Sequence, residues 1–143
     1  MERPVVWAII IVLSILVASF FLYIKPAFLR DFLRTQAQRI ANTVADQITF
    51  MSRMIDLGSL SGERDIYVDV GPGRRLEIAI DDTTHTVTAV IYAGTVSGRG
   101  VATYISNYPV IAPPKVYAGK IRFIIKNTTS TDDFVIYVTN LKG

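Results

Sequence analysis

The sequence contains no cysteine and a single histidine. The first absence excludes a disulfide scaffold, a thiolate-bound zinc site and a thiol nucleophile. The lone His85 has no Cys or Ser partner motif beside it and is expected at a strand end on the surface. Excess charge of one sign is scarce. Lys and Arg total 15 and Asp and Glu 12, a net charge of +3, and from residue 61 onward nine basic and eight acidic residues nearly cancel. A nucleic-acid footprint needs a clustered basic stripe, so no nucleic-acid partner is expected. Two local absences organise the rest. No charge interrupts Val5 to Ile24, and neither glycine nor proline occurs between Pro26 and Gly58.

Half of the residues are hydrophobic, and the mean hydropathy of +0.37 is high for a globule of 143 residues. Much of the excess lies in VVWAIIIVLSILVASFFLYI, twenty residues from Val5 to Ile24. As a helix this run covers about 30 Å, the thickness of a bilayer's hydrocarbon core. Ser14 and Ser19 are its clearly polar residues and can bond back to their own helix. Trp7 and Tyr23 lie near the two ends, where interfacial aromatics collect. The run is longer than the apolar region of a secretory signal, and no A-x-A cleavage site precedes Lys25, so a retained span is expected. The rest of the chain is too small to bury such a helix on all sides; lipid or other copies of the chain must cover it. Lys25, Arg30 and Arg34 follow the span while Arg3 precedes it, a balance that by the positive-inside rule puts the C-terminal part in the cytoplasm.

Lys25-Pro26 predicts a kink or a break. Beyond it, apolar residues recur at Leu29, Leu33, Ala37, Ile40, Val44, Ile48, Met51 and Ile55, spaced 4, 4, 3, 4, 4, 3 and 4 apart. That is a sustained helical stripe with Arg30, Asp31, Arg34, Arg39, Asp46 and Arg53 on the other face. Phe28, Phe32 and Phe50 fall beside the stripe and widen it. The helix packs either on its own domain alone or on its own domain and on neighbours. Gly58 supplies the stop.

From residue 65 the period changes to two. Strands are expected at 66–70, 74–81, 85–93, 101–106, 120–127 and 133–140, with Gly71-Pro72-Gly73 a hairpin turn, Gly94 to Gly100 a loop, and the proline-rich 107–114 an edge or a loop. The fold class is therefore α+β. A long N-terminal helix over 1–57 comprises an apolar half at 5–24 and an amphipathic half at 27–56. An antiparallel, Ig-like β-sandwich head follows over 61–143.

Chemistry-bearing patterns are thin. Asp81-Asp82 and Asp132-Asp133 stand in turns where aspartate needs no metal to explain it, and the oxygen-rich spacing of a calcium loop is missing. Gly71-Pro72-Gly73-Arg74 precedes no helix and so is no phosphate loop. With no triad, paired-carboxylate site or cofactor fingerprint, neither an enzyme nor a cofactor, metal or small-molecule substrate is expected. Asn127-Thr128-Thr129 is a sequon for N-glycosylation and, if used, places the head outside the cell. Tyr67, Tyr92, Tyr104, Tyr108, Tyr117 and Tyr137 are candidates for contact surfaces, about half of them core by strand alternation.

This plan resembles that of type IV pilins: an apolar half-helix, a proline near position 26, an amphipathic half and a β head. The cysteine-free, all-β head looks like the archaeal branch of pilins and archaellins. The resemblance lies in the architecture of the whole chain. It implies a structural subunit of an extracellular filament at the cell surface, serving adhesion and made of many copies. Subunits would wait in the cytoplasmic membrane before assembly. The residues implied to form the filament core or the span are Val5, Val6, Trp7, Ile9, Ile10, Ile11, Leu13, Leu16, Val17, Phe20, Phe21 and Ile24. Bacterial pilins carry a glutamate five residues in, where Glu2 is the only early acid here. The alternative is a permanently anchored β-sandwich binding module, similar to archaellum stator proteins.

Overall fold

A computed structural model of the chain describes residues 2–127 and 134–141. Its helix runs without a break from Glu2 to Asp56, about 80 Å at the usual rise. It comprises α1 (Glu2–Ser19), a π-helical turn (Phe20–Ile24) and α2 (Lys25–Asp56). Of the kink or break expected at Lys25-Pro26, the break is corrected: the helix is continuous there. Pro26 has no N–H to give to the preceding turn, and its ring crowds that turn's carbonyl. The wider π turn absorbs the conflict: the Lys25 N–H donates to the Phe20 carbonyl, five residues back. Helix α2 ends on the expected glycine. Gly58 has φ +99°, the Ser59 N–H donates to the Met54 carbonyl at 3.0 Å and the Gly58 N–H to the Ile55 carbonyl at 2.9 Å. This is a Schellman cap, which satisfies carbonyls that the helix would leave open.

Among the described residues the head has eight strands: β1 (Gly62–Val68), β2 (Arg75–Asp81), β3 (Thr86–Ala93), β4 (Val96–Thr103), β5 (Val110–Ile111), β6 (Val116–Tyr117), β7 (Gly119–Asn127) and β8 (Phe134–Leu141). They form two four-stranded sheets, ordered β1-β7-β8-β5 and β4-β3-β2-β6. The architecture is the α+β one expected, a long helix followed by a sandwich-like head.

Three expectations about the strands are corrected. The predicted loop Gly94–Gly100 is mostly strand β4, paired antiparallel with β3 through Ala89↔Gly100 and Ile91↔Gly98. Its glycines mark the close approach of another backbone, one of the two meanings a glycine has inside a strand. Second, Gly71-Pro72-Gly73 does not close a hairpin. It carries the chain from β1 in one sheet to β2 in the other, with the Gly71 N–H on Asp69 Oδ1 at 2.9 Å and Val70 buried as an anchor. Third, the sandwich is not wholly antiparallel: β5 pairs parallel with β8 at Val110↔Ile136. Pro109, Pro113 and Pro114 flank β5 and hold it to two residues at a sheet edge, where the missing donors do least harm.

The stripe packs on the head. Leu33, Ala37, Ile40, Val44, Ile48, Met51 and Ile55 are all buried, and Leu29 is half-buried against them. They join one core with Leu76, Ile78, Val87, Ala89 and Ile91 of the second sheet and Ile121, Phe123, Ile125, Ile136 and Val138 of the first. Each large aliphatic side chain so buried contributes about 1.5–3 kcal/mol. Helix α2 is thus a component of the head's core, pressed most closely on β4 and β3.

Candidate functional site

Between Arg3 and Asp56 the structure has one helix long and apolar enough to cross a membrane, and its apolar window buries no residue within the protein. Val5, Val6, Trp7, Ile9, Ile10, Ile11, Leu13, Leu16, Val17, Phe20, Phe21 and Ile24 are all exposed, between 44% and 63% of the free-residue value. Apolar side chains circle the whole helix rather than one face. Ser14 does not spoil the surface, because its hydroxyl donates to the Ile10 carbonyl at 2.8 Å. Near the end of the run, Phe20 and Phe21 meet edge to face at 5.6 Å, and the Lys25 ammonium lies 5.2 Å from the Phe21 ring centre. The sequence-predicted residues are thus placed along one bare rod that projects from the head.

Two surfaces flank the base of the rod. On the outward side of α2, Phe28, Asp31, Phe32, Thr35, Gln36 and Arg39 line an open groove. Phe28 and Phe32 stay exposed at 68% and 55%, so they add nothing to the head's core. Arg74 caps this groove, 5.2 Å from the Phe32 ring centre and 3.5 Å from Gln36 Oε1. On the β4 side, Arg30, Arg34, Gln38, Ser97, Gly98, Arg99 and Val101 line a second cleft with no carboxylate in it.

Sequence reasoning missed how α2 is fastened to β4 and the segment after it. Gln38 Nε2 donates to the Val101 carbonyl at 2.8 Å while its Oε1 accepts the Val101 N–H at 3.1 Å. The side-chain amide thus acts as one more strand residue along the edge of β4, an edge otherwise open to foreign pairing. Further along, Thr49 Oγ1 accepts the Ile105 N–H at 3.1 Å and Ser52 Oγ the Asn107 N–H at 3.3 Å. The Tyr108 hydroxyl donates to Asp56 Oδ1 at 2.6 Å, a bond that raises the phenol pKa. A signal was present: each of these four follows a stripe residue directly, one helical step off the buried line.

At the end of the head far from the rod, polar groups satisfy one another. The Asp81 carboxylate accepts the Thr83 N–H at 2.9 Å, which holds it below the usual carboxylate range. Asp82 Oδ1 accepts the Tyr104 hydroxyl at 2.9 Å, and burial first, then this bond, raises the phenol pKa. His85 lies in the β2–β3 turn at φ +54°, with its ring 5.2 Å from that of Tyr104. Among the described residues no three His, Cys, Asp or Glu side chains come together as a metal site. Of the tyrosine candidates Tyr67 is exposed, Tyr104 is buried and the other four are half-buried. Asn127 is exposed at the end of β7, while Thr128, Thr129 and the Asp132-Asp133 pair lie outside the described residues.

A comparison with protein-family models, with curated proteins and with solved structures gives no match to this chain.

Proposed function

We propose that this chain is the structural subunit of an extracellular, type IV pilus-like filament, built by packing the apolar helices of many copies and serving surface attachment. One observation carries the reading: Val5 to Ile24 is apolar on every side and exposed at every residue but Ser19. Such a surface needs a lipid or protein cover, because leaving it in water forfeits about 25 cal/mol for each Å². A bilayer and a bundle of like helices cover it equally well. The subunit can therefore wait in the cytoplasmic membrane and transfer into a filament with little change in water exposure. Head-to-tail contacts that do not close produce a helical polymer. Phe28 and Phe32 extend the apolar surface past Pro26 and offer a neighbour its next contacts. The resemblance to archaeal pilins in the order of the parts supports the same reading.

The test is electron microscopy of filaments sheared from cells that produce the chain, with subunits identified by mass spectrometry. Filaments built mainly of this chain are the expected result. Filaments that lack it, with the chain held in the membrane pellet, would overturn the proposal.

A second reading has its own support. The amphipathic stripe is wholly engaged by the head, leaving a folded unit that needs no neighbour. This favours a single anchored copy whose head binds another surface component. In that case cross-linking through cysteines placed at Leu16 gives no ladder of multimers in cells, whereas a filament subunit gives one.

A further inference from the structure

The cleft beside β4 is built differently from the charged faces of the two sheets, and it gathers three arginines where Arg39 and Arg53, also without an ion pair among the described residues, stand apart on α2. Lys120 and Arg122 are held by Asp65 at 3.1 Å and 2.9 Å, and Lys115 by Glu77 at 3.4 Å. Arg64 and Lys126 lie over the rings of Phe50 and Tyr137. Arg30, Arg34 and Arg99, by contrast, are exposed, converge on one cleft and make no ion pair among the described residues. The backbone brings them together. Arg30 and Arg34 are one helical turn apart on α2. Gly98 lets β4 press on the backbone of Leu33 and Arg34, so its neighbour Arg99 is delivered beside them.

Their depth is the second clue. Arg30 lies six residues past Ile24, about 9 Å along the axis. A headgroup layer reaches about 5–8 Å beyond the hydrocarbon edge. Helical side chains tilt toward the N-terminus, here toward the span, so the guanidinium of Arg30 returns to that layer and Arg34 follows one turn behind. Planar guanidinium groups fit phosphate oxygens in pairs, and Ser97 adds a hydroxyl at the rim.

We propose that this cleft binds the phosphodiester groups of anionic phospholipids and seats the head on the bilayer while Val5–Ile24 is in the membrane. The proposal rests on the membrane stage of the reading above but not on filament formation. The three arginines hold the head at a fixed height and rotation, with the Phe28–Phe32 groove on another side of α2 and free for a neighbour.

The experiment places the full chain in nanodiscs of mixed phosphatidylcholine and phosphatidylglycerol and counts the lipids it retains in native mass spectrometry. Severalfold enrichment of phosphatidylglycerol is expected. The triple variant Arg30→Gln/Arg34→Gln/Arg99→Gln should lose it, and the distant variant Arg53→Gln/Arg64→Gln/Lys126→Gln should keep it. Near-UV circular dichroism checks that both fold, and the single variant Arg99→Gln, which leaves the helix untouched, should show a partial loss. Equal enrichment in the triple variant and the wild type overturns the proposal. So does equal loss in both triple variants, which means net charge alone, or displacement of the lipid by inorganic phosphate, which means a free-anion site. If the wild type fails to stay in the discs, the membrane stage itself falls, and that is seen before any variant is made.

Discussion

The two halves of the long helix share a backbone and meet different solvents. From Val5 to Ile24 the side chains are mostly large and apolar, they face every side, and none is buried within the protein. From Leu33 to Ile55 one line of apolar side chains is buried, polar residues occupy the opposite face, and Gly98 and Gly100 of β4 mark the places of closest approach. The difference teaches what periodicity measures. A stripe of one period records a partner on one side, and here the partner is the chain's own β-sheets. Apolarity without a period records a cover on all sides, which this chain alone does not provide.

The largest expected effect tests that division directly. Leu33→Ala, in the buried line, should destabilise the head by about 2–5 kcal/mol in thermal unfolding of the detergent-solubilised chain, because it opens a cavity in a shared core. Leu16→Ala removes the same atoms from the exposed half and should leave head unfolding unchanged. Equal effects at the two positions would break the comparison.

A charge sharpens it from the other side. Val12→Asp puts a carboxylate in the middle of the apolar half, at a cost of about 2.5–3.5 kcal/mol for insertion at the centre of a span. Membrane association, followed by flotation, should fall sharply while the folded head keeps its unfolding temperature. Loss of both would mean that the head depends on the rod.

The contact between the amphipathic half and β4 comes next. A Cβ at Gly100 would overlap the backbone of Ala37 and Gln38, and one at Gly98 that of Leu33 and Arg34. Gly100→Ala should therefore cost about 1–3 kcal/mol by overpacking, in spite of the better strand propensity of alanine. Val101→Ala, directly after Gly100 and on the exposed face, should change stability by less than about 0.5 kcal/mol. The measurement is the same thermal unfolding, and a neutral Gly100→Ala would mean that helix and strand are further apart.

These glycines also show where the sequence was legible. Runs with a strong period, such as Arg75–Asp81 and Leu29–Ile55, appear where the pattern put them, since alternation and the 3.6-residue repeat report a buried side directly. The segment Gly94–Gly100 misled because glycine is ambiguous in one dimension: it marks a loop when its freedom is used and a strand when its smallness is used. Pro26 does not end the helix, as the break half of the expectation had it, since the remedy for its missing donor lies in the turn before it. The arginine cleft was half visible. Arg30 and Arg34 stood out as charges after a span, but Arg99 reaches them only through the fold of β4. The cover of the apolar half was legible as a need, and its identity is not written in one copy of the chain.

The smallest expected effect separates the halves by acid. The apolar half carries no carboxylate from Val5 to Ile24, so low pH leaves its packing unchanged. On the head, Asp65 lies directly opposite Arg122 across β1 and β7, with Arg122 Nε on its Oδ1 at 2.9 Å and Lys120 Nζ on its Oδ2 at 3.1 Å. The bond from Arg122 is the main cause holding this carboxyl below its ordinary value of 3.8, and Lys120 adds to it. A depressed pKa means that the folded head prefers the charged form. The stabilisation is therefore fully present above 3.8 and is lost as pH falls through the lowered folded value. The network is open to water, so the effect is modest and salt weakens it further. Thermal unfolding of the full chain should fall more steeply below pH 3.8 in the wild type than in Asp65→Asn, and added salt should bring the two curves together. Parallel curves at low salt would show that the ion pairs of β1 and β7 contribute nothing to the head, leaving its stability to the apolar contacts between α2 and the two sheets.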